Sequence, residues 1–215
     1  MTVIAGKMTK ATAGEGDGGD MALEVEMYLP SANDSLIQPW LDRLAELGMR
    51  CEFHPDFSFS SQNGHLPIRL RNLKPTRDEF KDRDFLSGFE FYLAKFNISE
   101  MLFKKPVKPS GLGRLFGKKQ AAAPHRVSGE VDAILEKCNW HLTFRFSPAD
   151  VFELRLADIS SIVISELTNG IRYLPSDGEW MVNQNFAPVA LASIEDFERS
   201  LEVGGYQSHL FEGWR

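Results

Sequence analysis

The sequence predicts an α+β protein built on an antiparallel sheet with helices packed on one face, as three features of its 215 residues indicate. Both halves contain short segments in which apolar and polar residues alternate with period two. Turn signals rich in glycine, asparagine and proline separate neighbouring segments. Only a few stretches carry apolar residues at helical spacing, and they are interspersed with strand pairs rather than alternating with single strands. A composition of 43% apolar and 25% charged residues is that of a globular protein, enough for one large core or two small ones.

The first twenty residues hold five glycines and few large apolar side chains, so 1–20 reads as a disordered leader. Residues 21–100 form an N-terminal α+β half. Ala22 to Pro30 alternates as a half-buried strand, and Asn33, Asp34 or Ser35 caps a helix presenting Ile37, Trp40, Leu41, Leu44 and Leu47 before Gly48 stops it. Extended segments follow at Arg50 to Ser60, His65 to Leu73 and Phe85 to Asn97. Asn63-Gly64 is the expected hairpin turn between the first two, and Pro67 implies that the second lies at a sheet edge or begins late.

Composition changes at residue 101. The stretch 101–129 has seven basic residues, no acidic one, three prolines and four glycines, and reads as a basic flexible loop. The C-terminal α+β half, 130–215, begins with a short helix over Val131 to Lys137 and a strand over Asn139 to Phe146. Ser147-Pro148-Ala149-Asp150 opens a helix running to Thr168, where Asn169-Gly170 ends it. Ile171 to Leu174 and Glu179 to Val182 pair across an Asp177-Gly178 turn, and a last helix spans Ser193 to Val203 with Ser193 and Asp196 as a capping box.

The halves echo each other. Cys51 to Ser60 and Cys138 to Ser147 agree at five of ten positions, which allows two related ferredoxin-like halves. Each copy carries a Cys-x-x-His pair, Cys51 with His54 and Cys138 with His141. Two thiolates and two imidazoles suit zinc, but residues three apart on a strand point to opposite faces, so no metal is expected. No phosphate loop, nucleophile elbow or metalloprotease helix is present, and no cofactor or catalytic residue is expected.

Charge carries more. Taking the seven basic residues of the loop from the chain's 24 leaves 17 against 30 acidic ones, so the body repels nucleic acid and attracts basic partners. Contact with nucleic acid is expected only, if at all, through 101–129. No run approaches the roughly 20 apolar residues of a membrane helix, and two cysteines make no disulfide framework, so a reducing cytoplasm is the expected location.

A small acidic chain with aromatic-rich strands, a helix ending Ile164-Ser165-Glu166-Leu167-Thr168-Asn169-Gly170, and a following strand with an Asp-Gly turn resembles the bacterial immunity proteins of polymorphic toxin systems. The resemblance implies an antitoxin: a non-catalytic inhibitor that binds a basic toxin domain and occludes its active site. Exposed acids and aromatics are its expected contact residues, namely Asp177, Glu179 and Trp180 on the second hairpin and Tyr206, Phe211 and Trp214 in the tail. The alternatives are an adaptor or chaperone holding a secreted partner's segment along a sheet edge, and an enzyme whose Glu or His side chains converge only in the fold.

Overall fold

Strand β1 (Leu23–Leu29) alternates as its sequence dictates: Val25, Met27 and Leu29 are buried on one face, while Glu24 and Glu26 lie on the other. The computed structural model to which it belongs describes residues 22–71, 80, 82–101, 127–147, 150–182, 186–200 and 208–214. The leader 1–20, nearly all of the basic stretch 101–129, and Tyr206 lie outside the described residues.

Asn33 accepts a hydrogen bond from Ser35 N and starts a 3-10 turn that leads into helix α1 (Ile37–Glu46), with Trp40 and Leu44 fully buried. Gly48, at φ 84°, supplies the left-handed turn into strand β2 (Arg50–Phe53). Here the structure corrects the sequence reading. The strand stops at Phe53, and Asn63-Gly64 is not a turn but the start of strand β3 (Asn63–Arg71), opposite Tyr92 and Phe91 of strand β4 (Phe85–Lys95). Two tethers hold the connection in place. Phe57 and Phe59 are drawn into the core, their rings 5.6 and 5.5 Å from Phe91, and the Asp34 carboxylate accepts Phe59 N at 2.8 Å.

Helix α2 (Ile98–Met101) and helix α3 (Gly129–Leu135) flank the undescribed stretch, and strand β5 (Trp140–Phe146) follows. Helix α4 (Val151–Thr168) is capped not by Ser147 but by Asp150, whose carboxylate accepts Phe152 N and Glu153 N; Pro148 lies outside the described residues. Its C-terminus is as expected, with Asn169 left-handed at φ 54°. Strands β6 (Ile171–Leu174) and β7 (Glu179–Met181) form the expected hairpin. Helix α5 (Ala187–Ser200) starts six residues before Ser193, whose hydroxyl bonds back to Val189 O inside the helix instead of capping it. Strand β8 (His209–Leu210) is the last strand of the described residues.

All strand pairs are antiparallel, in the order β2-β3-β4-β5-β1-β6-β7, with β8 on the start of β4. Strand β1 from the first half is lodged between β5 and β6 of the second, so the two halves share one sheet and one main core. Pro67 is correspondingly not on an outer strand, nor does its strand begin late, since β3 starts at Asn63. Strand β3 lies between β2 and β4, and the β2 ladder ends at Phe53 opposite Ile68, so the missing N–H at position 67 forfeits no bond to β2.

Helices α1, α4 and α5 cover one face, and α4 touches the other two as well as β1, β4, β5 and β6. It is apolar on nearly every side: Phe152, Leu154, Leu156, Ile159, Ile162, Val163 and Ile164 are all buried. At about 1.5–3 kcal/mol for each large apolar side chain removed from water, it is a principal source of the fold's stability. Ala157, Ser160 and Ser161, also buried, are small enough to let neighbouring elements come close. Gly170, just past the helix, is required by a close approach, since a Cβ there would stand 2.6 Å from Tyr28 O. Among the described residues no helix is long and apolar enough to cross a membrane.

An ion pair sits within this apolar packing. Arg155 of α4 donates Nε to Glu198 Oε1 at 2.7 Å and Nη2 to Oε2 at 2.5 Å, and the two side chains are only 1% and 3% exposed. A forked pair in that setting tolerates neither partner alone. Glu198→Ala should lower the unfolding free energy by about 3–5 kcal/mol in urea titration, whereas Arg155→Met with Glu198→Leu should restore most of the loss.

Candidate functional site

The face of the sheet opposite α1, α4 and α5 carries the alternate residues of each strand, and among the described residues it is covered at its two ends. Over β1 and β6, helix α3 is started by Ser128 Oγ, which accepts from Val131 N at 3.2 Å. It packs Val131 and Leu135 with Cys138 on Tyr28 and Ile171, forming a second, smaller apolar cluster. Over β2 and β3, the chain after β8 lays Phe211 against Arg69, whose guanidinium carbon is 4.4 Å from the ring centre. Between these covers lies a polar field in which Arg145 pairs with Glu24 at 2.8 Å and Glu90 at 3.4 Å, and Tyr92 donates its hydroxyl to Glu90.

The register brings a compact group together beside α3. Tyr28 lies opposite His141 on one side and Ile171 on the other, Glu26 lies opposite Tyr173, and Tyr173 lies opposite Trp180. The rings are in contact: Tyr28 stacks on His141 at 4.7 Å, meets Phe96 edge-on at 4.8 Å and Trp180 at 5.4 Å, and Trp180 leans on Tyr173 at 4.6 Å. Glu26 Oε2 accepts from the Tyr28 hydroxyl at 2.7 Å and lies 3.2 Å from His141 Nε2. The hydrogen bond from His141, assisted by that from Tyr28, holds the Glu26 carboxyl below its ordinary value although partial burial opposes it. Burial, with the bond to Glu26, pushes the Tyr28 hydroxyl far above the usual phenol range and keeps it a donor.

Beside these rings is a cavity of ≈170 Å³ lined by Glu26, Tyr28, Asp132, Tyr173, Trp180 and the apolar side chains of α2, α3 and Val127. Asp132 Oδ1 accepts from Val127 N at 3.3 Å. The arrangement is an aromatic wall with a carboxylate on β1 and another on α3, a combination suited to hold a cation.

A second pocket, of ≈380 Å³, opens at the other end of the central strands where α4 begins, lined by His65, Glu90, Arg145, Glu153 and their apolar neighbours. Burial raises the Glu153 carboxyl, an effect that the hydrogen bond from Ser147 N partly offsets and the nearby Asp150 reinforces. That bond, 2.8 Å to Oε2, ties the chain ahead of α4 to its first turn. His65 lies over Gly88, where a Cβ would stand 2.9 Å from the imidazole and 2.2 Å from Leu66 O.

The sequence-predicted contact residues fall in two places. Asp177 is exposed at the β6–β7 turn. Trp180 faces α3, whereas Glu179, also exposed, lies opposite Leu174 and so is on the helix side of the sheet. Phe211 and Trp214 lie together at the other edge, 5.0 Å apart, with Trp214 5.2 Å from His54. Tyr206 is outside the described residues. The hairpin and the tail therefore do not form one patch. Sequence reasoning missed Glu26, Tyr28, Asp132, His141 and Tyr173 as a group. The alternation of β1 put Glu24, Glu26 and Tyr28 on one face, but only the register with β5 and β6 supplies their partners.

The Cys-x-x-His pairs are also separated. Cys51 packs against the main core and Cys138 in the cluster under α3, on opposite faces. Burial raises their thiols to about 12 and about 11. Among the described residues no three His, Cys, Asp or Glu side chains are placed to hold a metal ion.

Because the folded Glu26 titrates below its ordinary value of 4.5, its contribution to stability is present above that value and is lost as pH falls through the depressed one. In urea unfolding, the stability gap between the wild type and Glu26→Gln should therefore close on acidification below about pH 4.5; a gap unchanged there would show that the carboxylate gains nothing from its partners.

Comparison with protein-family models, curated proteins and solved structures finds no significant match to this chain.

Proposed function

We propose that the protein is a non-catalytic binding protein of the immunity type, which neutralises a basic toxin domain by holding it against the β6–β7 and α3 end of the sheet. One observation carries the reading. At that end Tyr173 and Trp180 remain half-exposed between the carboxylates of Glu26 and Asp132, with Asp177 exposed at the neighbouring turn. Aromatic surface supplies contact area at small entropic cost, and surrounding negative charge speeds encounter with a basic surface and rejects acidic ones. An acid excess over the chain outside 101–129 favours the same class of partner.

The adaptor reading finds less support. The outer strands β2 and β7 have four and three residues, so a peptide added at either edge would gain few ladder bonds. An enzyme reading has one specific observation in its favour, the raised Glu153 carboxyl in a pocket with His65 and Glu90. The hydrogen bond from Ser147 N to Glu153 gives that side chain a structural task as well.

Capture from the native host followed by mass spectrometry should yield one stoichiometric basic protein whose toxicity is suppressed when this chain is co-expressed. Asp177→Lys should slow association roughly three- to tenfold at low ionic strength and much less at high salt, because screening shortens the reach of the field. Glu153→Gln should leave protection intact. If Glu153→Gln preserves the complex but abolishes protection, the protein acts by chemistry and the binding reading is wrong.

A further inference from the structure

The cavity between β1, β7 and α3 has the composition of a receptor for an organic cation. At ≈170 Å³ it is smaller than the roughly 300 Å³ at which pockets for drug-sized ligands begin, and matches a single side-chain head group. Its polar walls are Glu26 and Asp132, its aromatic walls Tyr28, Tyr173 and Trp180, and no lysine or arginine is among its described lining residues. Glu26 is kept ionised by its hydrogen bonds, so it presents negative charge at neutral pH. Both Trp180 and Tyr173 are half-exposed, and their ring planes differ by 31°, forming one broad, gently folded π surface.

We propose that this cavity takes the guanidinium of one arginine side chain from the protein's basic partner. A planar guanidinium can lie on the Trp180–Tyr173 surface while directing N–H groups to the carboxylates of Glu26 and Asp132. A lysine ammonium lacks both the plane and the fork. The cation is attracted twice, by the ring quadrupoles and by two acids partly removed from water. The proposal rests on the reading of the protein as a binder of basic proteins, and it names the point at which that partner is anchored.

The test requires no toxin. The full chain, with its four tryptophan indoles labelled, is titrated with N-acetyl-arginine amide and followed by two-dimensional NMR, with N-acetyl-lysine amide and the neutral N-acetyl-glutamine amide run in parallel. The arginine probe should shift the Trp180 indole saturably while Trp40, in the main core, stays fixed. The lysine probe should bind more weakly and the glutamine probe should do nothing. Glu26→Gln and Asp132→Asn should each weaken the arginine probe about fivefold, and Tyr173→Ala should abolish the saturable shift of the Trp180 indole while the Trp40 indole stays where it was. Equal shifts from the neutral probe, or undiminished binding in the Glu26→Gln, Asp132→Asn double variant, would overturn the proposal. The two readings fail separately. Arginine binding without any toxin complex would sink only the immunity role, and a toxin complex indifferent to Trp180→Ala would sink only the anchor.

Discussion

Everything else in the fold is arranged around a helix with almost no solvent-facing side. An α4 that is apolar nearly all round must be enclosed, and the sheet can enclose only one side of it. Helices α1 and α5 cover much of the rest. This is why the long helices gather on one face and why the other face is left to the strands' polar residues. The same enclosure explains the buried charges. Arg155 lies in the packing between α4 and α5, where its fork meets Glu198, and Arg172 points from β6 towards the helix, where it meets Asp158. Such pairs gain little net energy over apolar substitutes, but losing one partner alone leaves the other charge unmatched in the packing.

The open face follows from this division of labour. With the apolar residues committed to the α4 side, each strand has acids, bases and aromatics left over, and the antiparallel register lines them up as cross-strand pairs. Opposite charges meet at Glu24 and Arg145 in the middle of the face and at Glu52 and Arg69 towards its β2 edge. The β6–β7 end differs because its strands supply rings rather than bases. Among the described residues, Glu26 there has His141 and Tyr28 as partners and no arginine within its group. Negative charge and aromatic surface consequently coincide in one place.

Much of the fold was legible because local signals and tertiary demands agreed. The β1 alternation, the α1 stripe, the Asn169 stop of α4 and the β6–β7 hairpin each stand where the sequence puts them. The errors come from places where distant packing overrode a local cue. Asn63-Gly64 has the chemistry of a tight turn, but burying Phe57 and Phe59 against Trp40 demands a longer connection, so the turn moves upstream and the Asn-Gly pair becomes strand. Ser147 and Ser193 are good caps by composition, but Asp150 makes two backbone bonds and α5 begins earlier. The candidate site was less legible. Trp180 could be singled out as an exposed aromatic, yet its partners come from β1, β6 and α3, and no periodicity within one segment reports which strand will lie beside another.

That placement of β1 has a consequence for how the site comes into being. From β1 the chain runs through α1 to β2, parallel to β1 and at the edge of the sheet; from β5 it runs through α4 to β6, parallel to β5, with β1 between them. The two crossovers interlock, so residues 22–71 cannot complete the sheet before β5 and β6 arrive. Non-local pairing of this kind makes folding slow relative to local hairpins, since loop closure must precede the contacts that reward it. It also makes the aromatic and acidic group a report on the finished structure. Glu26 and Tyr28 come from the first half and His141, Tyr173 and Trp180 from the second, so neither half by itself assembles the wall. A surface whose parts meet only when the last strands dock is presented by the native state alone, and a partner that binds it shifts the folding equilibrium towards that state by mass action.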